Sequence, residues 1–207
     1  MSLTQTSNPF VGLRPFESDE SLLFFGRQQQ TLELLQRLHE NHFVAVVGSS
    51  GSGKSSLIRA GLIPALKAGY LVDDRDRWMI AGFKPGQSPL NNFAAAILDQ
   101  LNASNTHSEL ATFMRKIKEE GADAIIELLK PLWEERRTNT FFLIDQFEEV
   151  FRFAKGIAGI DKIDEANDFV NIMLELSERK ELPIYIVITM RSDFIVIAPD
   201  FLDCRRR

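Results

Sequence analysis

The sequence predicts a three-layer α/β/α domain built on a mostly parallel sheet. Three observations carry this reading. There are four short, almost wholly apolar runs rich in β-branched and aromatic residues. Helical periodicity fills the stretches between them, and strands that alternate with helices must pair in parallel through crossovers. A glycine-rich loop joins the first apolar run to the helix behind it.

The elements follow in order. Residues 1–20 are turn-rich, with Pro9, Gly12 and Pro15 set among Phe10, Val11, Leu13 and Phe16. That mixture disfavours helix and predicts an arm that packs on something. From Arg27 to Glu40 the positions of Leu32, Leu34, Leu35 and Leu38 follow helical spacing. Phe43-Val44-Ala45-Val46-Val47, ending at Gly48, has no polar residue on either face and so reads as a doubly buried strand. A helix is predicted over 54–68, kinked or ended by Pro64. Trp78-Met79-Ile80-Ala81-Gly82-Phe83 is the second strand. Two helical patterns follow, one on Leu90, Phe93, Ala94, Ile97, Leu98 and Leu101, the other on Ile125, Ile126, Leu128 and Leu129, with 102–108 as the polar loop between. Phe141-Phe142-Leu143-Ile144-Asp145 is the third strand, capped by a carboxylate. Residues 167–180 form an amphipathic helix with Phe169, Val170, Met173, Leu174 and Leu176 inward. Pro183 then opens the fourth strand, Ile184-Tyr185-Ile186-Val187-Ile188-Thr189.

Composition removes several functions. The 207 residues carry 24 basic and 29 acidic side chains, a net charge of −5, which argues against nucleic acid as the main partner. The single cysteine, Cys204, excludes a disulfide framework, and His39, His42 and His107 are not at metal-ligand spacing. No apolar run approaches the roughly 18–20 residues that cross a bilayer, and residues 1–20 lack a secretory h-region. The expected compartment is the cytoplasm, with no membrane partner.

Gly48-Ser49-Ser50-Gly51-Ser52-Gly53-Lys54-Ser55 matches G-x-x-x-x-G-K-[ST] in full, after a strand and before a helix. Glycines let the backbone curl so that successive N–H groups face phosphate oxygens, and the helix N-terminus adds positive potential. Lys54 is expected to bridge β- and γ-phosphates, and the Ser55 hydroxyl to ligate Mg²⁺. The fold class is therefore a P-loop NTPase. Asp145, at the tip of the third strand, is the expected second metal-side group. Glu148 and Glu149, three and four residues on, are candidates for the base that activates water, Glu148 the favoured one. Gln146 stands directly after Asp145, where many such ATPases carry that glutamate. Arg191, closing the fourth strand, is expected to read the γ-phosphate or else to pair with Asp193. The Arg205-Arg206-Arg207 tail reads as a solvated end.

With these residues set out, the chain resembles the STAND class of P-loop ATPases. More specifically it resembles the novel STAND NTPase module that precedes WD40 or other repeats in bacterial multidomain proteins. The marks are Asn8-Pro9-Phe10-Val11-Gly12-Leu13-Arg14-Pro15-Phe16, Phe24-Phe25-Gly26-Arg27, the phosphate loop with Ser56 and Arg59-Ala60-Gly61, Asp145-Gln146-Phe147-Glu148-Glu149, and Thr189-Met190-Arg191-Ser192-Asp193-Phe194. The resemblance implies a signalling switch that binds Mg-ADP at rest and Mg-ATP when active, with other domains of the same protein as partners. It implies that Gly26 and Arg27 lie on the nucleotide side, that residues 10–16 cover the base, and that Glu148 and Glu149 form the acidic pair of such sites. Residues 1–42 are then an arm and helix on the nucleotide side, and 43–207 the core.

Two other readings stay open: a non-hydrolysing scaffold held by nucleotide, and a nucleic-acid-linked AAA+ ATPase. The absence of an Asn/Thr-Lys-x-Asp element favours ATP over GTP. Sheets of this class have five core strands, with the first flanked by the fourth and fifth. Only four runs are present, and the residues after Arg191 are too few for a helix and a returning strand. The core is therefore expected to lack its fifth strand, as part of a longer protein. The first strand is expected at an edge that self-associates or is covered by the arm or tail.

Overall fold

A computed structural model describes residues 12, 14–70, 75, 77–101, 107–155 and 160–195. Its centre is a sheet of four parallel strands, β1 (Phe43–Gly48), β2 (Arg77–Phe83), β3 (Thr138–Ile144) and β4 (Ile184–Arg191), in the order β1-β4-β3-β2. The three-layer parallel architecture is as the sequence predicts. β1 sits at an edge, as expected, with β4 its one neighbour among the described residues. For that reason its apolar run is half-buried or exposed and not the doubly buried strand the sequence predicts.

Alternation along the inner strands sorts side chains onto two faces. Phe142 and Ile144 of β3, with Ile186, Ile188 and Met190 of β4, join one core cluster. Phe141 and Leu143 of β3, with Val187 of β4, join the other. The first face is covered by α4 (Pro89–Gln100), α5 (His107–Glu120), α6 (Ala122–Glu134), α7 (Glu148–Lys155) and α8 (Ile160–Glu178), where Phe93, Ile117, Ile125, Leu129 and Phe169 are fully buried. The second face is covered by α1 (Gln28–Asn41) and by the helical rod that follows β1. Continuous burial of β3 on both sides explains why its sequence has no alternation to read.

That rod differs from expectation. It runs as α2 (Lys54–Ser56), a π-helical stretch (Leu57–Leu62) and α3 (Ile63–Lys67). Pro64 does not end it. Through the π-helical stretch the bonds widen, and the Ile63 N–H reaches back to the Ile58 carbonyl. Pro64 then lies at the first positions of α3, and the Arg59 carbonyl five residues back, which its missing N–H cannot serve, accepts the Ser18 hydroxyl instead. Residues 18–20, expected to be irregular, open a 3-10 turn at Ser18–Leu23. The predicted 102–108 loop falls mostly outside the described residues, and His107 and Ser108 already belong to α5.

The register lines up the strand ends that build the site. Gly48 faces Arg191 across β1 and β4, and Ile144 faces both Ile188 and Phe83. The ladder carries on past β3, with the Asp145 N–H on the Phe83 carbonyl at 2.9 Å and the Phe147 N–H on the Thr189 carbonyl at 2.8 Å. The carboxyl ends of all four strands thus form one rim, the place where open α/β sheets hold ligands.

Candidate functional site

The loop 49–53 leaves β1 and curls back into α2. Gly51 (φ 73°) and Gly53 (φ 81°) take left-handed backbone, which a side chain would strain. Gly53 caps the rod, its carbonyl accepting the Leu57 N–H at 2.8 Å. Lys54 folds over the loop, its Nζ donating to the carbonyls of Gly48 (3.0 Å) and Ser49 (2.8 Å). Both partners are neutral, so the ammonium brings net positive charge to the loop.

Ser55, one residue on, donates from Oγ to Oδ1 of Asp145 at 2.8 Å. Asp145 is 2% exposed. The same Oδ1 accepts the Thr189 hydroxyl at 2.7 Å, and Thr189 Oγ1 in turn accepts the Gln146 N–H at 2.9 Å. Asp145 Oδ2 faces the Arg59 guanidinium at 3.3 Å. Gln146 has φ 63°, so the chain turns sharply after β3 and starts α7 directly over the strand ends. This turn brings both glutamates to the rim. Glu148, 7% exposed, accepts the Arg191 backbone N–H at 3.3 Å. Glu149 accepts the Gly86 N–H at 2.9 Å, which ties α7 to the turn after β2.

These groups share a cleft of about 650 Å³, lined by Gly12, Arg14, Pro15, Phe16, Ser50, Gly51, Gly53, Lys54, Ser55, Ser56, Gln146, Glu148, Glu149, Arg152, Thr189 and Arg191. The volume suits a nucleotide-sized molecule. The residues lining it mix the cations Arg14, Lys54, Arg152 and Arg191 with two carboxylates, a setting for a polyanion beside an acid–base group.

Arg191 lies in the cleft, but its guanidinium pairs with Asp193 through Nη2 at 2.6 Å and Nε at 3.1 Å, and sits 5.7 Å from the Phe194 ring. The hydrogen bond from Arg191 holds the Asp193 carboxyl below the usual range, and Lys54 adds a smaller pull. Arg27 reaches the phosphate loop from outside, Nη2 donating to the Ser52 carbonyl at 3.2 Å. It lines a neighbouring groove with Phe24, Phe25 and Tyr70 rather than the cleft. Gly26, at φ 81°, makes the turn before Arg27 and α1 and touches neither. Ser56 is buried and accepts the Phe16 N–H at 3.1 Å, so it anchors the arm. Of the arm, Gly12, Arg14, Pro15 and Phe16 line the cleft, while Phe10, Val11 and Leu13 lie outside the described residues.

Sequence reasoning did not assign Thr189, Arg59, Arg14 or Arg152. Thr189 had a signal, as the one polar residue in an apolar strand. Arg14 and Arg59 stood in motif blocks that gave them no role, and Arg152 had no signal, since each reaches the site through tertiary contact.

The donor set fits Mg²⁺. The Ser55 hydroxyl and the buried Asp145 carboxylate are hard oxygen ligands, too few to form a protein cage, and Mg²⁺ characteristically takes one or two such groups with substrate phosphates and water. Among the described residues no cluster of three or more His, Cys, Asp or Glu offers a competing metal site.

A search of curated proteins finds no match to the chain. The family described as Novel STAND NTPase 1 matches residues 9–202, taking in the arm, the phosphate loop, the Asp145 turn and the Arg191 block. This chain belongs to the Novel STAND NTPase 1 family.

Proposed function

We propose that the domain binds Mg-ATP and Mg-ADP in this cleft, hydrolyses ATP slowly and acts as a cytoplasmic switch within a larger signalling protein. The observation that carries the reading is the Ser55–Asp145 hydrogen bond beside Lys54 at the rim of the sheet. It brings a hydroxyl, a carboxylate and an ammonium together where phosphates and a divalent ion need them.

In this reading the loop N–H groups and Lys54 hold the β- and γ-phosphates. Ser55 and Asp145 hold Mg²⁺, which when bound neutralises charge on the phosphate oxygens. Glu148 orients water at the γ-phosphorus and takes its proton as the bond to the β-phosphate oxygen breaks. Its burial and its bond to the Arg191 N–H favour it over Glu149, whose carboxylate is engaged by Gly86. Arg191 contacts the γ-phosphate by leaving Asp193.

A non-hydrolysing scaffold is the second reading. The Arg191–Asp193 pair favours it, since a guanidinium spent on a neighbouring carboxylate is not stabilising a transition state. The net charge of −5 disfavours a nucleic-acid-linked AAA+ role.

Calorimetric titration with ADP and ATP tests the site. Lys54→Ala is expected to abolish binding of both, because the phosphates lose their close cation. Affinity within about threefold of wild type, less than the ~1.4 kcal/mol that a tenfold change represents, would remove the assignment.

A further inference from the structure

Arg59 is a half-buried cation that this function leaves unused, and it joins two parts of the molecule. Its Nη2 faces Asp145 Oδ2 at 3.3 Å, and its Nη1 pairs with Glu17 Oε1 at 2.8 Å. Its carbonyl accepts the Ser18 hydroxyl at 2.9 Å. Its Nε is buried with no hydrogen-bond partner. The guanidinium is therefore stretched between two carboxylates, one nitrogen on each, without the two-pronged grip that Arg makes on a single carboxylate.

The two carboxylates differ. Asp145 is almost fully buried and has given Oδ1 to the Ser55 and Thr189 hydroxyls, which leaves Oδ2 to Arg59. A buried carboxylate needs a counter-charge. The Glu17 side chain is 48% exposed and belongs to the strap that Phe16 and Ser18 fasten to the same helical rod. A divalent cation at Asp145 would supply the counter-charge and repel a guanidinium a few ångströms away.

We infer that Arg59 is a shared counter-ion for which Glu17 and Asp145 compete, so that the N-terminal strap sets how readily the cleft takes up a divalent cation. The inference rests on the Mg-nucleotide reading above. When the cation binds, Arg59 yields Asp145 and closes on Glu17, which tightens the strap. By linkage, a strap that draws Arg59 away raises metal affinity by the same factor. Arg59 is a positioning residue: it acts through Asp145 and touches no substrate.

The test is ADP binding by the whole chain, titrated with Mg²⁺ in chelator-buffered solution. Glu17→Gln leaves Arg59 wholly to Asp145, and the Mg²⁺ midpoint is expected to rise about three- to tenfold. Arg59→Gln removes the competing cation, and the midpoint is expected to fall by a similar factor. The double variant is expected to behave as Arg59→Gln alone, since Glu17 acts only through Arg59. A purely structural strap predicts shifts of the same sign for both single variants, and that result overturns the inference. An unchanged midpoint in Glu17→Gln also overturns it, and this exposed substitution decides the matter if Arg59→Gln does not fold. Wild type that binds no ADP with Mg²⁺ removes the functional reading and this inference with it. Wild type that binds normally while Glu17→Gln shows no rise removes the inference alone.

Discussion

The Ser55 hydroxyl donates to Asp145 Oδ1 across 2.8 Å, although the two residues stand 90 positions apart in the chain. The distance follows from topology. Crossover connections carry the chain from β1 to the far edge of the sheet and back, so the phosphate loop and the tip of β3 meet at the rim, with only β4 between their strands. Thr189, at the end of β4, bridges that gap with its own bond to Asp145.

Glu148→Gln is expected to leave ATP binding intact and to cut turnover by about 10²–10⁴, the usual contribution of a general base. Glu149→Gln is expected to act less on turnover and more on stability, because it loosens the bond to Gly86. Steady-state ATPase measurements with paired binding titrations check this. Loss of turnover confined to Glu149→Gln would move the base by one residue, and no loss in either would favour the scaffold.

Arg191 gives the second prediction. If its guanidinium leaves Asp193 for the γ-phosphate, Arg191→Ala weakens ATP binding more than ADP binding. Asp193→Asn has the opposite effect: it frees the guanidinium and raises the affinity ratio of ATP to ADP. The pair is exposed and screened by solvent, so the gain is a fewfold at most. Equal effects on both nucleotides would confine Arg191 to the local pair.

What the sequence could disclose depended on the range of the interaction. The phosphate loop, the four strands and most of the helices are legible because their signals lie within a few residues: Gly-x-x-x-x-Gly-Lys-Ser, apolar runs and Leu spacing. By contrast, α5, α7 and the first turns of α8 are not among the elements predicted. The edge position of β1 followed from counting strands. The passage of the helical rod through Pro64 was not legible, because the wider π-helical bonds just before it are a product of packing. Arg59 was visible as part of a motif but carried no role, since its meaning lies in Glu17 and Asp145 together. Gln146 looked like a departure from the usual base position. Its left-handed backbone shows a turn that delivers Glu148 and Glu149 to the rim instead.

The exposed edge of β1 makes the third prediction. The Ile186 N–H donates to the His42 carbonyl, so in a parallel ladder Val44 and Val46 also face β4, while Ala45 and Val47 direct their backbone groups outward. The outward side opens on a groove of about 550 Å³, rimmed by Glu33, Arg37 and Asn41 of α1. We expect fast hydrogen exchange at Ala45 and Val47 in dilute solution and slower exchange as concentration rises and a second copy pairs with the edge. Fast exchange at every concentration would show that the edge does not pair. Slow exchange at every concentration would assign its cover to another segment of the same chain.

The last prediction concerns the strap that borders the cleft. Arg14 pairs with Glu20, whose carboxylate also accepts the Glu17 N–H at 3.0 Å. The Arg14 hydrogen bond, aided by that backbone N–H, lowers the Glu20 pKa from its ordinary 4.5 to about 2. A carboxyl lowered on folding stabilises the fold above its unfolded value and loses that contribution as pH falls through its folded value. The carboxylate is therefore expected to stay ionised and tied to Arg14 at pH 4 and to let go as pH falls through about 2, while the stability the tie lends declines progressively from about pH 4.5 downward. The pair is exposed, so added salt screens it and moves Glu20 back toward its ordinary range. Carboxyl-carbon NMR titration reads the residue directly. Wild-type Glu20 is expected near 2, and Arg14→Ala is expected to raise it toward 4.5. Because Arg14 also lines the cleft, the same variant is expected to weaken ADP binding, whereas Glu20→Gln, which leaves the guanidinium in place, weakens it less. A wild-type Glu20 titrating near 4.5, or one indifferent to Arg14→Ala, would show that the pair does not hold the strap in solution.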